Sequence, residues 1–162
     1  MLVQVLTWLM AIPLLGFITG MRTMTPMAGI CWFALAGQLP LGDSWAWWCG
    51  KLPVAIAFTL LAILEYLADK RAWLRNPMHP AVLIVRYFFG GLVGAIVASA
   101  LNASGFEGVI LGVLGAIAGA VCSYQLHQEA VRRFGLTPWH VALAGDLFAI
   151  IGTVISLAII TS

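Results

Sequence analysis

The chain of 162 residues is 62% hydrophobic and only 9% charged, and its formal net charge at pH 7 is +2. So few charged residues could not cover the surface of a water-soluble globule, which carries roughly 25% of them. The weak positive charge, without a basic patch that contains interleaved aromatic residues, argues against a nucleic-acid partner. We therefore predict a single domain over residues 1–162, an all-α, polytopic transmembrane helix bundle surrounded by membrane lipid.

Uncharged intervals of membrane length predict about six helices, because about 20 apolar residues cross a bilayer core. In chain order they lie near residues 2–20, 24–39, 52–70, 82–102, 107–131 and 139–160. The first has neither a basic start nor a cleavage motif, so we interpret it as a retained helix rather than a signal peptide. The second contains Pro26, Gly29 and Gly37, which leaves five spans plus a re-entrant segment as an alternative.

The positive charges select an orientation for these helices. With the N-terminus outside, Lys51 is the single outer residue among the eight lysines and arginines. An excess of basic residues in the cytoplasmic connections is typical of membrane proteins, so we expect both termini outside. Six helices also divide into three plus three, and a repeat of that kind would have to be inverted across the membrane.

Glycines recur along the predicted fifth helix at intervals of three and four. They are Gly108, Gly112, Gly115 and Gly119, and at this spacing they share one helix face. Small residues allow helix backbones to approach closely in a membrane. The pattern favours packing inside the bundle, and it leaves a homodimer interface or a sliding surface open as alternatives.

The break after the first helix is the first candidate site, since an ionisable residue inside a membrane is costly. The segment 20–26 (GMRTMTP) places Arg22 beside Thr23, Thr25 and a proline. Free N–H groups at the start of the next helix, together with the guanidinium, would suit an anion. The alternative is an inner turn whose arginine only sets the topology.

Buried carboxylates form the next two candidates. Glu65 and Asp69 are four residues apart, so both lie on one helix face, where they could hold a cation or share a proton. They could instead pair with basic residues, Arg86 among them. Asp146 is the one charge of the last helix, where it would be neutral or balanced by a cation or an arginine.

His127, near the end of the fifth helix, could relay protons or could simply be solvated. All these polar residues fall on the inner half, so we expect them to converge on one cytoplasm-facing polar cavity. The three cysteines are odd in number and scattered, which predicts neither a disulfide framework nor a metal site. We find no catalytic or nucleotide-binding motif, so we predict no cofactor and no enzyme.

Three motifs together carry a family resemblance: the glycines and GMRTMTP of segment 16–26, the EYLADK of 65–70, and the LAGDL of 143–147. The chain resembles the bacterial integral membrane proteins of the domain of unknown function 4126. The resemblance implies a helical protein of the bacterial inner membrane, with an acidic pair in its last helix. Gly145 stands where the first acid of that pair is expected, so Asp146 is alone.

Three functions remain open at this point. The first is a secondary transporter or exchanger of protons, cations or a small solute that uses the embedded carboxylates. The second is binding or translocation of an anionic lipid at Arg22 and Arg86. The third is a non-catalytic membrane scaffold or assembly partner that uses the glycine faces. We favour the transporter.

Overall fold

A computed structural model describes residues 2–69, 79–135 and 138–161. Within these ranges the regular structure is entirely helical, with no strand. The α-helices are α1 Leu2–Met21, α2 Met24–Leu35, α3 Leu52–Asp69, α4 Pro80–Ala100, α5 Gly105–Phe134 and α6 Pro138–Thr161. A short 3₁₀ helix, Trp47–Gly50, lies in the loop between α2 and α3. The predicted all-α fold with six helices is confirmed.

Three of these helices are long and apolar enough to cross a membrane, over Pro80–Ala100, Gly105–Arg133 and His140–Thr161. Shorter apolar stretches lie in α1, α2 and α3. The outer faces of the bundle expose large apolar side chains, and Phe106 and Met10 are 75% and 72% exposed. Water-soluble proteins rarely expose so much contiguous apolar surface, so the helices indicate a membrane protein.

The second helix is shorter than the predicted segment 24–39. It has 12 residues and ends at Leu35, because Gly37 turns the chain into the left-handed region with a φ of 74°. At 1.5 Å per residue α2 is about 18 Å long, well short of a hydrocarbon core of about 30 Å. By this length α2 can cross the bilayer only where the hydrocarbon core is thinner than average.

Glycines bring α5 into backbone contact with α4 on one side. Gly90 and Gly94 of α4 lie against Gly112 and Gly108 of α5, in antiparallel order. A Cβ atom on Gly112 would collide with the carbonyl oxygen of Gly90. Glycine contacts also join α5 to α1, where Gly16 lies on Gly112 and the two helices run parallel. The predicted glycine face therefore contacts helices of its own chain.

The remaining helices surround this three-helix core. Helix α6 packs against α1 and α2, and α3 packs against α2. Gly29 of α2 lets Thr153 and Leu157 of α6 come close to its backbone. The arrangement places the α1–α2 break between α3, α4 and α6. The inverted repeat and the single domain stay predictions.

Candidate functional site

Two residues, Arg22 and Thr23, separate α1 from α2. The backbone N–H of Arg22 still donates to the carbonyl of Ile18 at 2.7 Å, which completes the last turn of α1. Thr23 occupies the N-cap position of α2, but its hydroxyl makes no capping hydrogen bond. The first N–H groups of α2 therefore require acceptors from another part of the chain.

Glu65 of α3 supplies both acceptors. Its Oε1 accepts from the N–H of Thr23 and its Oε2 from the N–H of Met24, each at 2.9 Å. A carboxylate at this position also faces the positive end of the α2 dipole. The sequence predicts an anion at these N–H groups, and the structure fills the position with the protein's own Glu65.

Arg86 of α4 binds the other side of the break. Its Nη1 donates to the carbonyl oxygen of Gly20 at 2.9 Å, and the residue is buried. Carbonyl groups in the last turn of a helix have no partner within the helix and lie at the negative end of its dipole. The break is thus held by a cation at the end of α1 and an anion at the start of α2.

Arg22 and Asp146 form a buried ion pair between the break and α6. The Nη2 and Oδ1 atoms are 2.5 Å apart, and the two side chains are 7% and 9% exposed. The guanidinium of Arg22 also lies over the ring of Tyr66, 5.5 Å from its centroid. The Tyr66 hydroxyl shares a hydrogen bond of 2.6 Å with Oγ1 of Thr25.

The site therefore consists of side chains from four separate parts of the chain, and we call it the junction cluster: Arg22, Thr25, Glu65, Tyr66, Arg86 and Asp146. Three of its charged residues, Arg22, Arg86 and Asp146, are each 6% exposed. The cluster is consequently packed shut, in contrast to the open polar cavity that we expected. A cavity of about 920 Å³ lies elsewhere, between α1, α5 and α6, and its lining is apolar.

Two candidate residues lie away from the cluster or outside the description. The side chain of Asp69, like residues 70–78, is outside the described residues. His127 is half-buried on α5, and among the described residues no contact joins it to the cluster. Thr23 takes part through its backbone rather than its hydroxyl. Sequence reasoning missed Tyr66, although a phenol next to Glu65 in an apolar helix has to find a polar partner.

Metal binding has little support in the geometry. Within the ranges that the structure describes, no group of three or more His, Cys, Asp or Glu side chains could hold a metal ion. Ion pairing and hydrogen bonds to backbone are what the junction cluster offers instead.

Comparison with known proteins gives one match. The model of a family described as Domain of unknown function (DUF4126) matches residues 9–159, which include the whole junction cluster. No curated protein and no solved structure matches the chain. The resemblance seen in the three sequence motifs is confirmed at the level of the family.

Proposed function

This chain belongs to the family of the Domain of unknown function (DUF4126), and from its buried ion pair we propose that it is a secondary transporter or exchanger. Asp146 is the coupling group: it binds a proton or a cation in exchange for its contact with Arg22. The protein lies in the bacterial inner membrane with both termini outside, and it catalyses no chemical reaction. The Arg22–Asp146 pair is the observation that carries the proposal.

Stability alone is a weak reason for this ion pair. Taking two charges out of water costs several kcal/mol for each ion, roughly as much as their attraction returns, so apolar residues would serve as well. The pair does, however, join two different parts of the chain, the α1–α2 break and α6. Once a proton or a cation occupies Asp146, its attraction to Arg22 is lost and α6 can shift relative to the break.

Helix α6 is held less tightly than the three-helix core of α1, α4 and α5. A Cβ atom on Gly145 of α6 would meet no atom within 4 Å, so α6 makes no close backbone contact at this position. Helices α2 and α6 also meet at Gly29, where a Cβ atom would collide with the side chain of Thr153 rather than with the α6 backbone. These two features favour movement of α6 over movement of the tightly interlocked α1, α4 and α5.

Glu65 does not share the coupling role in this proposal. Both of its oxygens already accept hydrogen bonds from the α2 backbone. A proton or cation at Glu65 would have to break the cap of α2 first. We therefore assign Glu65 to holding the break in shape and Asp146 to binding the coupling ion.

Anionic-lipid binding is the second candidate, and the two buried guanidinium groups at one break are the observation in its favour. A phosphate would have to displace Asp146 from Arg22, and the carbonyl of Gly20 from Arg86. The lipid alternative predicts that an anionic lipid co-purifies with the protein and is lost in Arg22→Ala. The scaffold alternative has less support, because the glycines of α5 that would form its interface contact α1 and α4 of the same chain.

The experiment is ion movement in liposomes of purified protein. Charge displacement on a solid-supported membrane is recorded after jumps of pH and of mono- and divalent cations, and a trapped pH dye reports electroneutral proton movement. Asp146→Asn should abolish both signals. Since removing one partner of a buried pair is strongly destabilising, the double variant Arg22→Gln/Asp146→Asn removes both charges and should also be inactive.

Glu129→Gln is the matched control for these variants. Glu129 is 66% exposed on α5 and lies 4.0 Å from Arg133, so its loss should leave transport unchanged. Normal fluxes in Asp146→Asn and in the double variant would refute the role of Asp146. Wild-type liposomes without either signal would refute the transporter.

A further inference from the structure

Two of the three cysteines meet in the folded chain. Cys31 of α2 and Cys49 of the 3₁₀ helix Trp47–Gly50 are both fully buried and belong to the same apolar cluster. The 3₁₀ helix packs against α2, and a Cβ atom on Gly50 would lie 3.7 Å from the carbonyl oxygen of Ala34, about one turn after Cys31. The two thiols are close enough to interact. The third cysteine, Cys122, is exposed on α5. The loop between α2 and α3 thus returns to α2 and brings the two thiols near each other.

Several contacts fix the loop in this position. The N–H of Gln38 donates to the carbonyl of Phe33 at 3.0 Å, which folds the start of the loop back on α2. The indole N–H of Trp45 donates to Oγ of Ser99 at 2.9 Å, which ties the middle of the loop to α4. These anchors hold Cys49 at α2 independently of any covalent bond.

From this contact we infer that Cys31 and Cys49 form an intramolecular disulfide in the mature protein, a covalent link between α2 and the loop that follows it. The inference rests on the proposed orientation, in which this loop lies outside, on the oxidising side of the membrane, where disulfides persist. It does not depend on transport. The geometry of a single buried pair also leaves Cys122 as a free thiol.

The reaction is thiol–disulfide exchange with the disulfide of a thiol oxidoreductase of the outer compartment. One cysteine, as the thiolate, attacks a sulfur of that disulfide and forms a mixed disulfide, and the second cysteine then attacks the mixed bond. The sulfur–sulfur bond of the oxidoreductase is broken and the bond between Cys31 and Cys49 is formed. Two electrons and two protons pass from the two thiols to the oxidoreductase, which leaves as a dithiol.

The bond forms before the loop closes over the pair. In the folded chain, the neighbouring Cys31 thiol and burial raise the pKa of the Cys49 thiol, which disfavours the Cys49 thiolate. An oxidoreductase also cannot reach sulfurs that are fully buried. The disulfide is therefore a product of membrane insertion, and afterwards it is shielded from reductants.

The consequence is a short helix held at both ends. Glu65 fixes the start of α2 through two backbone N–H groups, and the disulfide fixes Cys31 one turn before its end at Leu35. A helix anchored in this way is a rigid support for the break that carries Arg22. Movement of the ion pair is then confined to α6.

The test counts free thiols in protein taken directly from cells. Cells are quenched in acid, the protein is denatured, and thiols are labelled with maleimide–polyethylene glycol before and after reduction. With three cysteines in the chain, the disulfide predicts one adduct before reduction and three after it. Cys122→Ala should give none before reduction and two after it, while Cys31→Ser should give two in both cases.

Three adducts before reduction would overturn the inference, as would a disulfide-linked dimer on a non-reducing gel. Reporter fusions to the C-terminus, made in the same cells, separate the reasons for such a failure. Three adducts with the loop outside would overturn the pairing, and a loop found inside would overturn the orientation on which it rests. Mass spectrometry of the unreduced protein should find Cys31 joined to Cys49, and a link to Cys122 would contradict the assignment.

Discussion

Glu65→Gln should lower the free energy of unfolding by about 2–4 kcal/mol, because glutamine can satisfy only one of the two N–H groups that Glu65 binds. A hydrogen bond to a charged acceptor contributes roughly 1.5–3 kcal/mol, and a buried donor left without a partner costs roughly 1–3 kcal/mol. The amide N–H₂ of glutamine would face one of the donors, Thr23 or Met24, and repel it. Glu65 is half-buried, which keeps the sum below the upper limits of both ranges.

The measurement is reversible unfolding in detergent–lipid micelles with increasing fractions of a denaturing detergent. Glu129→Gln is again the control, because a carboxylate that is 66% exposed should change the unfolding free energy by less than about 0.5 kcal/mol. Glu65→Gln should unfold at a clearly lower denaturant fraction than both the control and the wild type. Equal midpoints for all three proteins would refute Glu65 as the cap of α2.

Gly112→Ala should destabilise the bundle by about 2 kcal/mol or more, since its Cβ would collide with the carbonyl oxygen of Gly90. Gly145→Ala should instead stabilise α6 by about 0.5–1 kcal/mol, because its Cβ would meet no atom within 4 Å. Thermal unfolding in one detergent compares the two, and an unchanged Gly112→Ala would contradict the backbone contact. Tyr66→Phe should lower the free energy of unfolding by about 1 kcal/mol, because the hydrogen bond to Thr25 is lost. An unchanged free energy of unfolding would contradict that hydrogen bond.

The helices could be predicted from the sequence because a helix that crosses a bilayer needs a long, uncharged, apolar stretch. Charged residues bracket the apolar intervals, and the observed helix ends lie within a few residues of the predicted ones. The end of α2 is the exception, at Leu35 instead of residue 39. A left-handed turn at Gly37 decides that end, and such a glycine looks like any other when it lies in an apolar segment.

The members of the junction cluster could be predicted in part, but their partners could not. The cost of a charge in an apolar helix singles out Arg22, Glu65, Arg86 and Asp146. The partner of each charged side chain depends on tertiary contacts between positions that are distant in the sequence. Glu65 and Thr23, for example, are 42 residues apart. For Glu65 the natural expectation is a basic side chain or a cation, whereas the structure gives it backbone N–H groups.

The contact between Cys31 and Cys49 was hidden for the same reason. The three cysteines are scattered along the sequence, and no spacing rule connects a residue of α2 with one in the irregular loop after it. Only the return of that loop to α2 brings the sulfurs together. The predicted roles of Asp69 and His127 stay predictions.

The shortness of α2 has a consequence for the surrounding lipid. Trp32 and Leu35 are exposed on this helix, so the lipid beside it contacts an apolar helix surface about 18 Å long. Helix α5 has 30 residues, and its uncharged stretch, residues 108–128, is about 32 Å long. A bilayer adjusts its thickness to the protein that it surrounds. Acyl chains must therefore be compressed beside α2, whereas they keep about their ordinary length beside α5, so that the thickness of the membrane varies around the protein.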